Sequence, residues 1–190
     1  MLFFFVIPIG LLIGFLSGGR LSNLENLRLR WLPLVFISLV IQLLIFPLFT
    51  DTPILAFAEV PLHILSYVLL AVWIVANIRI APIVLLGLGA ICNFLVLIAN
   101  GGLMPASINA VLKAGLPFLA ERLMQDGAYA NLILMSESSH LNVLGDILYL
   151  PKWIPFSSAF SIGDLLIAMA LTWLIVKGMR INEKRPIQAA

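Results

Sequence analysis

Charge is scarce in this chain. Only 11% of its 190 residues are Asp, Glu, Lys or Arg, less than half of the roughly 25% carried by an ordinary soluble domain. A single cysteine, Cys92, excludes an internal disulfide framework. Two histidines, His63 and His140, lie far apart and have no cysteine cluster beside them, so no zinc-ligand spacing exists and no metal is expected. There is no Gly-x4-Gly-Lys-Ser/Thr run to cradle phosphates, and no serine stands in a nucleophile elbow. No cofactor is expected. The formal net charge is only +2, and the basic residues pool around apolar runs. That pattern speaks for membrane topology and against nucleic acid as a partner.

Apolar residues are what the chain has: they make up 62% of it, and the mean hydropathy is +1.13. A helix rises about 1.5 Å per residue, so a hydrocarbon core of about 30 Å needs roughly 20 residues. Five stretches qualify: Leu2–Leu16, Trp31–Thr50, Val60–Ile78, Ala81–Ala99 and Phe160–Val176. The first and last are short and require snorkelling flanks or local thinning. The sequence therefore predicts an all-α polytopic transmembrane bundle of five spans, a single integral-membrane domain over residues 1–190. The first stretch lacks a basic n-region and a small-x-small cleavage site, and it runs directly into Gly18-Gly19-Arg20. It reads as an uncleaved first helix.

Orientation follows from the cations. Arg20, Arg28, Arg30, Arg79, Lys177, Arg180, Lys184 and Arg185 fall in segments that share one side, and Lys113, Arg122 and Lys152 fall on the other. Positive charge marks the cytoplasmic side, which predicts N-terminus out and C-terminus in, with residues 177–190 as a cytoplasmic tail. The acids sort the opposite way, with only Glu25 and Glu183 inside.

The one sizeable non-membrane segment, 100–159, is expected on the outer face. Asn100-Gly101-Gly102 stops the fourth span. Ser107 caps a short helix that Gly115 closes; Pro117 starts a second that Gly127 closes. These helices are apolar on one side and too short to span, so they are expected to lie in the headgroup zone or over the bundle as a lid. The aromatic residues of Tyr149–Phe156 suit the interface. Ser161-Ile162-Gly163-Asp164 is an S-x-x-D capping box at the start of the last span. No internal repeat is visible, and an odd number of spans disfavours the paired halves of many transporters.

Polar side chains within the spans are few: Ser38, Gln42, His63, Ser66, Tyr67, Asn77, Asn93, Asp164 and Thr172. They should face the bundle interior. One reading makes them interhelical hydrogen bonds. The other places Gln42, His63, Asn93, Asn100 and Asp164 around an outward-opening polar cleft that binds a ligand. Asp164 has its own alternatives: a cap, a charge pair or proton exchange with His63, or substrate contact. Gly10, Gly14 and Gly18, spaced by four, bare one face of the first helix for close packing. That face packs inside the monomer, or else docks a second copy or a membrane-protein partner. His140 and Asp146, with Ser136, Ser138 and Ser139 nearby, leave an envelope enzyme as a further alternative.

Three motifs come in a fixed order: Gly18-Gly19-Arg20-Leu21, then Asn100-Gly101-Gly102-Leu103-Met104-Pro105, then Ser161-Ile162-Gly163-Asp164. In this order they resemble an uncharacterised family of small bacterial integral-membrane proteins, a domain of unknown function. The resemblance covers nearly the whole chain and implies a bacterial cytoplasmic membrane; it carries no activity. The leading expectation is a non-enzymatic protein that binds or passes a small amphiphile, of lipid or isoprenoid type, in an outer-leaflet cleft. The alternatives are an accessory subunit or assembly factor, and the envelope enzyme.

Overall fold

The structure is a computed structural model, and it describes residues 2–45 and 59–181. The chain is mostly helical. A 3-10 turn at Leu2–Phe5 leads into α1 (Val6–Leu16). Pro8 lies in the first turn of α1, where its missing N–H breaks no helix bond. Helix α1 ends where Gly18 takes φ +78° and Gly19 N–H returns to Gly14 O at 2.8 Å. After a second 3-10 turn, Leu21–Asn26, come α2 (Pro33–Ile45), α3 (Glu59–Ala76) and α4 (Ala81–Ala99). The last helix, α7 (Ile162–Met179), follows the outer segment.

Several expected bounds shift by a few residues. Helix α2 starts at Pro33, because Trp31 is in a left-handed turn with φ +52°. Asn77 leaves α3 to spend its side chain on another strand of chain, and α7 starts at Ile162 because Ala159–Phe160 are paired as a strand. Helix α4 has the expected bounds. The end of the second stretch, Pro47, the Asp51–Pro53 turn and the tail beyond Ile181 lie outside the described residues. Among the described helices, α4 (19 residues) and α7 (18 residues) are long and apolar enough to cross a bilayer, while α1, α2 and the Pro61–Ala76 part of α3 are shorter apolar helices.

Helix α7 is the centre of the bundle, with α1 along one side and α4 along the other; α2 packs on α3. Helices α3 and α4 are joined by the short turn Asn77–Ile80, yet they part from it and touch little along their length. The core gathers near that turn: Trp73, Ile74, Ile80, Ile83, Leu86, Ala90, Ala170 and Leu174, with Leu27 and Leu34 packed against it. The outward faces are also apolar. Leu16 is 80% exposed, Val75 68%, Ile7 62% and Phe36 59%, and Ile91, Ile98, Met169 and Trp173 are exposed as well.

The bundle has two chemically different ends. At one, Arg20 N–H donates to Met179 O, and Asn77 binds the backbone of Arg30, so the loop 17–32, the 77–80 turn and the end of α7 meet. This end holds Arg20, Arg28, Arg30, Arg79, Lys177 and Arg180. Segment 100–159, expected from the sequence to be the outer one, occupies the other end. Ser107 caps α5 (Ile108–Lys113), Pro117 opens α6 (Pro117–Asp126), and Gly127 closes it with φ +74°, as the sequence reads. The segment also contains strands that the all-α expectation lacks. Strand β1 (Met104–Ala106) pairs in parallel with β3 (Leu132–Leu134), which pairs antiparallel with β2 (Ala128–Tyr129). A second pair joins β4 (Leu148–Tyr149) to β5 (Ala159–Phe160). Strands of two or three residues are too short to show a period of two, and their partners are distant in sequence.

Candidate functional site

Small residues bring α4 and α7 together. A Cβ on Gly89 would lie 2.6 Å from Gly163 O, and one on Gly163 would lie 2.7 Å from Gly89 O, so the two backbones touch. One turn along α4 from this crossing, Asn93 Nδ2 donates to Asp164 Oδ1 at 2.7 Å, and Ser161 Oγ donates to Asn93 Oδ1 at 2.8 Å. The capping box completes the network: Asp164 N–H donates to Ser161 Oγ at 2.9 Å, and Ser161 N–H to Asp164 Oδ2 at 3.3 Å. Asn93 and Ser161 are buried. Each group in the network satisfies another, which lets them stay out of water at little cost.

The remaining expected contacts are held elsewhere. Gln42 Nε2 donates to Ser66 Oγ at 3.3 Å, and Ser38 Oγ donates to Ser66 O at 2.8 Å; both tie α2 to α3. Asn100 clamps the outer segment onto the end of α4. Its Nδ2 donates to Val96 O and His140 O, and its Oδ1 accepts from His140 N–H, all at 2.8 Å. Of the five residues Gln42, His63, Asn93, Asn100 and Asp164, the structure joins Asn93 to Asp164 and puts Gln42 and Asn100 into separate ties. His63 lines a hollow.

That hollow adjoins a groove. Where α3 and α4 diverge, an apolar groove of about 320 Å³ runs between them, walled by Ala71, Ile74, Val84, Gly87, Leu88 and Ile91 among others. Tyr67 and Phe94 line its outer end, ring centroids 5.3 Å apart. The same two rings line a second hollow of about 170 Å³, with His63, Ile64, Leu97, Ile98, Gly101 and Gly102. His63 stacks obliquely on Tyr67 at 5.4 Å. The two hollows thus share an aromatic gate, apolar on one side and mixed on the other. Phe94 carries no polar signal, and in sequence it is one apolar residue among many; the gate exists because α3 and α4 diverge.

Asp146 is a buried acid of this end, where Asp164 is half-buried. Its backbone is held between Pro105 and Ser107, through Asp146 N–H to Pro105 O at 2.8 Å and Ser107 N–H to Asp146 O at 3.1 Å. Among the described residues no hydrogen bond reaches its carboxylate. Burial, and then the field of the Asp164 carboxylate, push its pKa up to about 7.

The serines beside His140 are engaged with each other. Ser139 Oγ donates to Asn142 Oδ1 at 2.6 Å and to Ser136 O at 2.9 Å. His140 is bound through its backbone to Asn100, and among the described residues its exposed ring has no hydrogen bond to Asp146 or to a serine. No group of three His, Cys, Asp or Glu residues that could hold a metal occurs among the described residues. Gly10 and Gly14 are buried against Ile175 and Met179 of α7, so this face packs inside the monomer. A second copy or a partner docking there would have to displace α7. Gly18, with φ +78°, serves the turn instead.

No curated protein and no solved structure matches this chain. Residues 26–176, spanning α2 to α7 and so both walls of the groove, match a family of unknown function, DUF5317, and the chain belongs to that family.

Proposed function

We infer that the chain is an integral membrane protein of five spans, with its N-terminus outside and its C-terminus inside a bacterial cytoplasmic membrane. We infer further that it binds a small amphiphile in the groove between α3 and α4. Support for the membrane comes from the apolar outward faces, Leu16, Val75, Ile7 and Phe36 among them. Exposed apolar surface on this scale is unfavourable in water and ordinary in lipid. Support for orientation comes from the basic end described above.

The observation that carries the binding reading is the groove itself. Two helices adjacent in sequence leave an apolar slot of about 320 Å³ that meets, across an aromatic gate, a smaller chamber with a histidine. An apolar body with one polar end fits such a slot, and sites between bundle helices commonly have this character. His63 is the ligand contact we propose among the expected five residues. Gln42, Asn93, Asn100 and Asp164 support the walls. Among the described residues no Lys or Arg lines either hollow. A phosphate would meet no cation there, so the polar end we propose is uncharged, as in an alcohol.

Native mass spectrometry of protein extracted from membranes in mild detergent tests this. A bound amphiphile should be retained by the wild type. Leu88→Trp, which fills the groove from an exposed position, should reduce retention about tenfold or more, the effect of losing one well-packed contact surface. His63→Ala should weaken retention less. Unchanged retention in folded Leu88→Trp would sink the reading.

A further inference from the structure

At the basic end the chain reads Arg28-Leu29-Arg30-Trp31-Leu32-Pro33, and it must turn into α2 within these residues. Asn77 makes that turn. Fully buried, it accepts Arg30 N–H on Oδ1 at 2.8 Å and donates from Nδ2 to Arg30 O at 3.0 Å and to Trp73 O at 2.9 Å. Three of the amide's bonds thus fix the backbone of Arg30 to the end of α3. The next residue, Trp31, has φ +52°, a conformation a bulky residue rarely adopts, at a cost of about 1–3 kcal/mol. Its side chain is 63% exposed, so burial of the ring does not offset that strain.

The turn instead sets Arg30 and Trp31 at the end of a hollow of about 780 Å³ along α3, whose other walls are Val68, Ala71, Val72, Val75 and Ala76. Among the described residues Arg30 is the only charged one that lines it. Arg28 and Arg79 lie at the same end, where Glu25 is the only acid among the described residues. A guanidinium at the lip of an apolar hollow matches a phosphate joined to a hydrocarbon chain. Arg binds phosphate through paired N–H donors, and an indole prefers the headgroup level.

We propose that this hollow binds one anionic phospholipid of the leaflet at the basic end, with an acyl chain along Val68, Val72 and Val75 and the phosphate on Arg30. The site rests on the membrane reading above, but its ligand and leaflet differ from those of the α3–α4 groove; Val68, Ala71 and Val75 border both hollows, while Arg30, Trp31, Val72 and Ala76 line this one and not the groove. Basic pockets at the cytoplasmic side of helix bundles attract such lipids by the same electrostatics.

The test uses the full chain purified in mild detergent and equilibrated with equal amounts of phosphatidylglycerol and phosphatidylcholine bearing the same acyl chains. Native mass spectrometry should show one retained phosphatidylglycerol. Arg30→Gln, a change at an exposed side chain, should cut its retention about tenfold, the scale of a lost charge-assisted pair. Val72→Phe, which fills this hollow and does not line the α3–α4 groove, should do the same. Arg20→Gln should have no effect. Undiminished retention in Arg30→Gln, equal binding of the two lipids, or an equal loss in Arg20→Gln would each overturn the site. A chain recovered from the soluble fraction without detergent would instead overturn the membrane reading itself.

Discussion

A carboxylate held out of water keeps its proton to higher pH in the folded state than in the unfolded chain. Asp146 is such a group, raised from 3.8 to about 7 by burial and then by Asp164. Between these two values the folded state holds more protons than the unfolded one. The contribution of this group to stability is therefore fully present at acid pH and is lost as pH rises toward 7, by up to about 1.4 kcal/mol per pH unit. Thermal melts in detergent should show a lower midpoint at pH 8 than at pH 5. Asp146→Asn, which keeps the shape and removes the charge, should narrow that gap; an equal gap in the variant would refute the assignment. Other residues at this scale differ in how far the sequence reveals them. The Ser161–Asp164 cap is legible because its partners are three residues apart, whereas the acceptance of Asn93 into the same network spans 68 residues to Ser161. Asn77 is similar: its partner Arg30 is 47 residues away, so the sequence shows only a polar residue at a helix end.

Elements are held together here by the absence of side chains as much as by their presence. Gly89 and Gly87 are two residues apart on α4 and meet different neighbours. A methyl group on Gly89 would press on the backbone of α7 at Gly163 O, which cannot move without moving the helix, whereas one on Gly87 would meet only Ile74 Cγ2 at 3.0 Å. Gly89→Ala should therefore destabilise by about 1–3 kcal/mol, the usual cost of overpacking. Gly87→Ala should change stability far less, because relief of the glycine helix penalty of about 1 kcal/mol offsets the contact. Equal losses in detergent unfolding experiments would mean that the α4–α7 crossing is not the tight contact described. The helices themselves, α4 above all, follow from apolar runs and from Pro, Gly and Ser punctuation. The small sheets of the outer segment do not, because β1 finds β3 across 28 residues in register, through backbone groups that every sequence carries.

The whole molecule is polarised: cations and pinned turns at one end, buried carboxylates and a folded cover at the other. Lys113 and Arg122 are occupied by the cover itself, with Lys113 over Tyr149 at 5.5 Å and Arg122 over Tyr129 at 5.5 Å and paired to Asp126 at 3.1 Å. The proposed topology predicts that cysteines placed at Arg28 and Arg180 react with a membrane-impermeant reagent only after the cells are opened, while cysteines at Gln125 and Trp153 react in intact cells. These tests belong in a Cys92→Ala background, and the reverse pattern would invert the orientation.

Composition and charge order were enough to determine an apolar helical chain whose basic residues gather at one end, since both depend on residue type and local spacing alone. The caps of α5, α6 and α7 were legible for the same reason. The tertiary structure decided which polar groups meet. It used Gln42 to tie α2 to α3, joined Asn93 to Asp164 across α4 and α7, spent Asn100 on the cover, and put His63 in the lining of the smaller hollow. It also decided that α3 and α4 part after their shared turn, which makes the groove. The physical reason is that a buried polar group is stabilised by whichever partner lies within hydrogen-bond reach. Reach depends on where small residues let helices approach and where bulky ones hold them apart.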